Sequence, residues 1–502
     1  MFRSGSDKSG FFSRGDKTDK DMRKQVGQLM KIARQKHRKQ DLPGETEALQ
    51  EAAFLLHEHD QYKDAAEIWI EILKLYNNEK GRTAQAIMYS NLATSLRNAD
   101  EIDQADRYYE KALAIHQDTK DIPGAIRDGF NLGMLAASRA DYQRALQQLD
   151  AALVNAEQLG DREWIARIHR YIGELHFISC HFQQALESFD VYCTLGEKLE
   201  AIDWAIDGLC WMSQCYRWNG EYHYAIQALE DAFAAADASG DSKLQVMVMG
   251  HIGDLSLALG DVDRARDYAL RARKICEVEA IPAASRILVN VVLAQGNADR
   301  GMTHKSRDHY EEALDLARQM RHLLLEAKVE HHFAALEFRE ARLKEAYARA
   351  GNALRLARSV KDPLTEGLVC MLMGRIAQRR GEEETAFEYR RRSLEIAREI
   401  GVDELLWQSH YNLGRLHQRI KNNREAEAHY RTAVDVLERL SSTIRINYYS
   451  EAFFRDKARM QLYQDLITLL VSMNKTEDAR MYFDRVPSTE LKNRLKHLVH
   501  LD

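Results

Sequence analysis

Two pairs of arginines carry the spacing most suited to binding chemistry. Arg375 and Arg379 are four residues apart, as are Arg415 and Arg419, so each pair shares one face of a helix. Guanidinium groups presented as planar forks suit carboxylate or phosphate. The competing reading is a solvated helix face, or salt bridges to Glu and Asp nearby. Patterns for other chemistry are missing. The chain has no G-x-x-x-x-G-K-[ST], no G-x-G-x-x-G and no H-E-x-x-H, so neither phosphate cradling nor zinc hydrolysis by those routes is expected. His57 and His59 are two apart, and His331 and His332 are adjacent. Neither pair points one way on a helix, so no metal site is expected. The six cysteines (180, 193, 210, 215, 276 and 370) form no C-x-x-C pair. Cys210 and Cys215 are expected to pack between helices. Acidic runs such as Glu382–Glu384 read as solvated helix faces. The expectation is a protein without catalytic residues, cofactor or small-molecule substrate.

The elements that must position these residues are helices. Of 502 residues only 5 are Pro, and Pro costs about 3 kcal/mol inside a helix. With 45% hydrophobic and 29% charged residues the chain can form a core. It holds no apolar run of the ~18 residues a membrane span needs. The N-terminal stretch MFRSGSDKSGFFSRGDK has no apolar centre to serve as a secretory signal. With the cysteine pattern this predicts a reducing cytoplasm. Residues 1–40 carry 12 Lys/Arg against 4 Asp, so a leader of +8 precedes a body of −14 within the net −6.

A repeat organises the rest. A small residue is followed four later by a large one and three after that by a small or apolar one: Ala65/Trp69/Ile72, Ala105/Tyr109/Ala112, Ala145/Leu149/Ala152 and Ala185/Phe189/Tyr192. The register continues from Ala225, Ala265, Ser306, Ala346, Ala386 and Ala426, advancing by 40 at eight of nine steps and by 41 at the other. Twelve residues upstream of each stands a small residue: Ala53, Ala93, Gly133, Gly173, Ser213, Gly253, Ala294, Ala334, Gly374 and Gly414. Each unit therefore reads as two amphipathic helices with a short break. Facing small residues let the pair approach closely. Pro43, Pro123, Pro282 and Pro363 fall at joints, Pro487 follows the last helix, and Gly160-Asp161 and Gly240-Asp241 read as helix stops and starts.

At FNLGMLAASRADYQRALQQLDAAL (130–153) and YNLGRLHQRIKNNREAEAHYRTAV (411–434) the chain resembles the tetratricopeptide repeat family, in its longer 40-residue form. The resemblance spans about 46–486. It implies an all-α, right-handed superhelical solenoid of about 10–11 helix-turn-helix repeats. The expected layout is a disordered polar leader (1–20), a basic capping helix (21–45), ten 40-residue units (46–440) and an irregular terminal pair with a cap (441–502). Residues 441–486 resemble the segment that precedes a caspase-like CHAT protease domain in related bacterial proteins. That domain is absent here, which leaves a repeat-only relative or a fragment.

The resemblance also implies that first helices line a concave face. It places Lys328, His331 and Arg339 there in the eighth unit, Arg375 and Arg379 in the ninth, and Arg415 and Arg419 in the tenth. Tyr411 would add apolar contact, with Phe338 and Met371. Asn131 and Asn412 stand where related repeats hold an extended peptide backbone; an inter-helix hydrogen bond is the alternative. The expected function is a non-catalytic scaffold that takes a protein or peptide partner, acidic in character, in the groove. The rivals are a regulatory arm of a CHAT-type peptidase system and a peptide-sensing receptor. Nucleic-acid or membrane contact is expected only through the basic leader 21–40. Oligomeric state is not readable.

Overall fold

A computed structural model describes residues 15–76, 81–486 and 489–496. Among these residues every regular element is an α-helix. They divide into two compact units, Met1–Leu175 and His176–Asp502. The first contains α1 (Gly15–Arg38), α2 (Leu42–Glu58), α3 (Tyr62–Leu75), α4 (Arg82–Asn98), α5 (Ile102–Asp118), α6 (Ile122–Ser138) and α7 (Tyr142–Leu159). The boundary falls inside α8 (Arg162–Ile178). The second unit continues with α9 (Phe182–Lys198), α10 (Ile202–Trp218), α11 (Tyr222–Ser239), α12 (Ser242–Ala258), α13 (Val262–Cys276), α14 (Ala283–Asp299) and α15 (Thr303–Gln319). Then come α16 (Leu323–Arg339), α17 (Leu343–Ser359), α18 (Pro363–Arg380), α19 (Glu383–Ile400), α20 (Asp403–Arg419) and α21 (Asn423–Ser442). After them the spacing changes, with α22 (Asn447–Phe453), α23 (Lys457–Ser472), α24 (Thr476–Arg485) and α25 (Thr489–Leu495). The solenoid of stacked helix pairs expected from the repeat is present. Residues 1–14 of the polar leader and Pro487 lie outside the described residues, and α1 already begins at Gly15.

The repeat pattern is the pairing code. A Cβ on Gly133 would stand 2.7 Å from Leu149 Cγ, and one on Gly414 would stand 2.6 Å from the Tyr430 ring. The small residue of the first helix thus seats the large residue of the second. Where Ser replaces the small residue, its hydroxyl bridges the pair. Ser213 Oγ donates to the Ala225 carbonyl at 2.9 Å, and Ser306 Oγ to the Ala294 carbonyl at 2.7 Å. The stops recur about every twenty residues with one left-handed residue. Gly160, Gly240 and Gly381 serve, but so do Asp60, Asp100, Ala140 and Cys180 at φ of 54–68°. The next amide then reaches back to close the helix, as from Asp141 to the Ala136 carbonyl at 3.0 Å.

Within the second unit the solenoid winds far enough to touch itself. The Phe177–Phe182 turn, with Phe189 and Cys215, packs on Leu364, Ile396, Val402 and Leu405. Tyr222, Ile226 and Leu259 share a core with Leu437, Leu440, Phe453 and Leu462. Polar bonds pin the seam. Tyr222 Oη donates to Glu404 at 3.2 Å and Thr443 Oγ1 to the Gly220 carbonyl at 2.8 Å. Tyr448 Oη donates to Asp261 at 2.6 Å, and Arg459 Nη2 to the Ala258 carbonyl at 2.8 Å. These partners are 182–223 residues apart, or about five repeats.

Candidate partner-binding surface

Helices α16, α18 and α20 carry nine of the ten expected binding residues. The ninth and tenth layers bring the arginine pairs together. Arg375 and Arg379 lie over the Phe338 ring, at 4.8 and 5.9 Å from its centroid. Arg415 lies 5.7 Å from the Tyr411 centroid. Arg375 keeps solvent access, yet the protein around it desolvates the guanidinium enough to lower its pKa, with Arg415 and Arg379 adding repulsion. Among the described residues no carboxylate pairs with Arg375 or Arg379. Arg415 reaches Asp465 only at 4.0 Å and Arg419 reaches Glu383 at 3.5 Å, and both side chains are at least half exposed.

The remaining residues are more occupied. Arg339 donates to Asp299 of the preceding layer at 2.7 Å. Tyr411 is buried, and its hydroxyl donates to Asp465 at 2.9 Å. The Asn412 amide donates to the Gln408 carbonyl one turn back at 2.8 Å, an intrahelical use. Lys328 Nζ stands 5.8 Å from the Phe177 centroid, so the seam brings this part of α16 against the end of α8. His331 touches His332, their centroids 5.0 Å apart. Burial, with His332 and Arg375 adding to it, pulls the His331 ring down to about 3. His332 falls to about 4 by burial and the nearness of Arg217 and Lys328. Both rings are therefore neutral at pH 7. Asn131 belongs to the first unit, where its side-chain oxygen accepts from Arg97 at 3.5 Å.

Two groups escaped the reading of the sequence. Arg390 on α19 occupies the large-residue position of its repeat and is only 2% exposed. Its Nη1 donates to the Asn412 carbonyl at 2.7 Å and its Nη2 to Gln378, while its Nε has no partner. Burial and the neighbouring Arg415, Arg375 and Arg419 pull its pKa down to about 10. Its place in the ten-fold register was the available signal, because a cation stands where every other repeat holds an aromatic residue, Leu or Ala. In the first unit, buried Asp128 accepts from Ser90 at 2.7 Å and contacts His116 Nδ1 at 2.7 Å, tying adjacent repeats together.

Cys210 and Cys215 are buried and burial raises both thiols, which makes them poor nucleophiles. Among the described residues no three His, Cys, Asp or Glu side chains group to hold a metal. Among them also, no helix is long and apolar enough to cross a membrane.

Tetratricopeptide repeat signatures match residues 86–119 and 367–439. No curated protein matches the chain. Three solved structures are similar to it. The Cut9–Hcn1 hetero-tetramer of the APC/C aligns over 97% of this chain and 92% of its own, at 14% identity and a TM-score of 0.48. BtubC (BKLC) from P. vanneervenii aligns over 44% and 92%, at 16% and 0.39. The apo form of RapI aligns over 59% and 98%, also at 16% and 0.39. The second signature spans α18 to α21, the layers that present the arginine pairs, and the first lies on α4 and α5 with the same small-on-large seating. Signature, register and helix pairing coincide in both units, and the chain carries tetratricopeptide repeats in each.

Proposed function

We propose that this chain is an interaction scaffold whose α18–α20 face captures an acidic segment of a protein partner. The observation that carries the reading is the state of Arg375 and Arg379. Both are accessible, both rest on Phe338, and no described carboxylate pairs with either. Surface arginines of this chain otherwise commonly pair, as Arg339 does with Asp299 and Arg439 with Asp403. An acidic ligand would supply the missing counter-charge and relieve repulsion among Arg375, Arg390, Arg415 and Arg419.

The test is titration of a labelled Glu-rich peptide against the wild type and the variant with Arg375, Arg379, Arg415 and Arg419 all changed to Ala. Exposed pairs contribute ~0.2–1 kcal/mol each, so losing all four should weaken binding by about fourfold or more. The salt dependence should flatten in parallel. Arg339→Ala, whose guanidinium is already engaged, should leave affinity unchanged. Equal affinity of the wild type and the quadruple variant rejects the proposal.

A further inference from the structure

The seam of the second unit borders a half-open cavity that the proposed partner-binding surface does not use. It has a volume of about 320 Å³ and lies among α11, α12 and α13, with Tyr449 of α22 completing it. That volume is at the small end of ligand sites, which run to roughly 300–1,000 Å³. Leu229, Phe233, Ile252 and Leu255 give it an apolar lining. One cation also lines it. The Arg264 guanidinium stacks 5.1 Å from the Tyr449 centroid and 5.6 Å from that of Tyr268. Its Nε is buried without a hydrogen-bond partner, and among the described residues no carboxylate pairs with the side chain. Stacking occupies the faces of a guanidinium and leaves its in-plane N–H groups to donate. The Nε itself is closed to solvent, so an acceptor from outside the chain would sit on the terminal N–H groups of this half-buried side chain, which make no hydrogen bond among the described residues.

The other polar side chains at the cavity are Ser256, Glu230, Tyr268 and Tyr449. Ser256 Oγ donates to the Ile252 carbonyl at 2.7 Å. Glu230 is exposed. Burial, opposed by Arg264, pushes the Tyr449 phenol up to about 12, so it remains a donor at neutral pH. The seam fixes the helix that brings Tyr449, through the bond from Tyr448 to Asp261.

We propose that this cavity is a binding site for a small amphipathic anion, with its apolar tail among Leu229, Phe233, Ile252 and Leu255 and its carboxylate on Arg264. The site is independent of the arginine pairs on α18 and α20. Calorimetric titration of the full chain with octanoate, and separately with 1-octanol, tests it. Octanoate should bind once per chain and at least tenfold more tightly than octanol, which has the tail without the charge. Arg264→Gln should remove that preference by lowering octanoate affinity about tenfold, as loss of a charge-assisted hydrogen bond implies, and leave octanol unchanged. Ala234→Trp, at an exposed lining position, should fill the space and abolish both. The comparison of the two ligands on the wild type needs no variant to fold. Absence of octanoate binding, equal affinity for octanoate and octanol, or undiminished binding to Ala234→Trp would each overturn the assignment.

Discussion

Changing Arg390 to Met should stabilise the helices around it. Burial and three cationic neighbours pull this guanidinium from 12.5 to about 10. Each tenfold loss of proton affinity corresponds to ~1.4 kcal/mol, so holding the charge there costs roughly 3 kcal/mol. Two hydrogen bonds offset part of this, from Nη1 to the Asn412 carbonyl and from Nη2 to Gln378. Neither acceptor is stranded by the change. The Asn412 carbonyl sits inside α20 and serves its ladder, and the half-buried Gln378 amide can turn to water. Met keeps the unbranched shape and fills irregular space well. Replacing a buried ion by a packed apolar side chain is commonly neutral or stabilising by ~1–4 kcal/mol. We expect a gain of about 1–3 kcal/mol, confined to α18–α20 because solenoid stability is local. Native-state amide exchange on those helices is the assay, since melting of the whole chain averages over both units. A fall of more than ~1 kcal/mol in their opening free energy would refute the reasoning. It would mean the cation is held by interactions stronger than the two bonds described. If stability rises while affinity for the acidic peptide falls, the arginine is retained for binding at a cost in stability.

The seam and the buried histidines give two further predictions. Gly260 and Gly381 share a left-handed backbone, at φ of 82° and 83°, but a Cβ at Gly260 would stand 2.6 Å from the Ala452 carbonyl oxygen and one at Gly381 would meet nothing within 4 Å. Gly381→Ala should therefore lose only the ~1–2 kcal/mol of a left-handed Ala, and Gly260→Ala clearly more; equal losses by urea denaturation would show that the seam is not tight there. His331, His332 and His410 fall to about 3, 4 and 4, chiefly by burial, with His429 and Arg398 adding to the effect on His410. Because the fold holds them neutral, their contribution is complete above the unfolded value of about 6.5 and is lost as pH falls from there toward 4. Thermal melts should drop between pH 7 and 5, and less so in His332→Leu; a melting temperature constant over that range contradicts the placement of these rings.

The helix pairs were legible in the sequence because their code is local. Gly133 against Leu149 and Gly414 against Tyr430 are 16 residues apart, and the same contact recurs in register. Left-handed stops were legible only where glycine marks them. At Ala140 and Cys180 the closing hydrogen bonds and helix packing impose the conformation on residues that do not favour it. The proposed binding surface was legible in type and not in availability. Arg339 and Arg375 have the same side chain on successive first helices, yet one meets Asp299 and the other no described carboxylate. Exposure and partner distance decide that, and neither is a property of spacing.

The seam was illegible for a different reason. Its partners are about five repeats apart and are joined by the accumulated rotation of the stack, which no local pattern records. Its trace is in the turns. Asp60 and Asp100 are exposed, whereas Cys180, Gly220 and Asp261 are buried and flanked by Phe177, Phe182 and Tyr222. Aromatic residues around a turn that ought to be solvated are the signal to seek in such repeats. The consequence reaches the binding surface. Because Lys328 rests on Phe177, a segment running from the eighth layer to the tenth must first displace that contact. One that needs only Arg375, Arg379, Arg415 and Arg419 can dock with the seam intact. On the function proposed above, this contact favours a short acidic segment across two layers over an extended peptide threaded along the whole inner face.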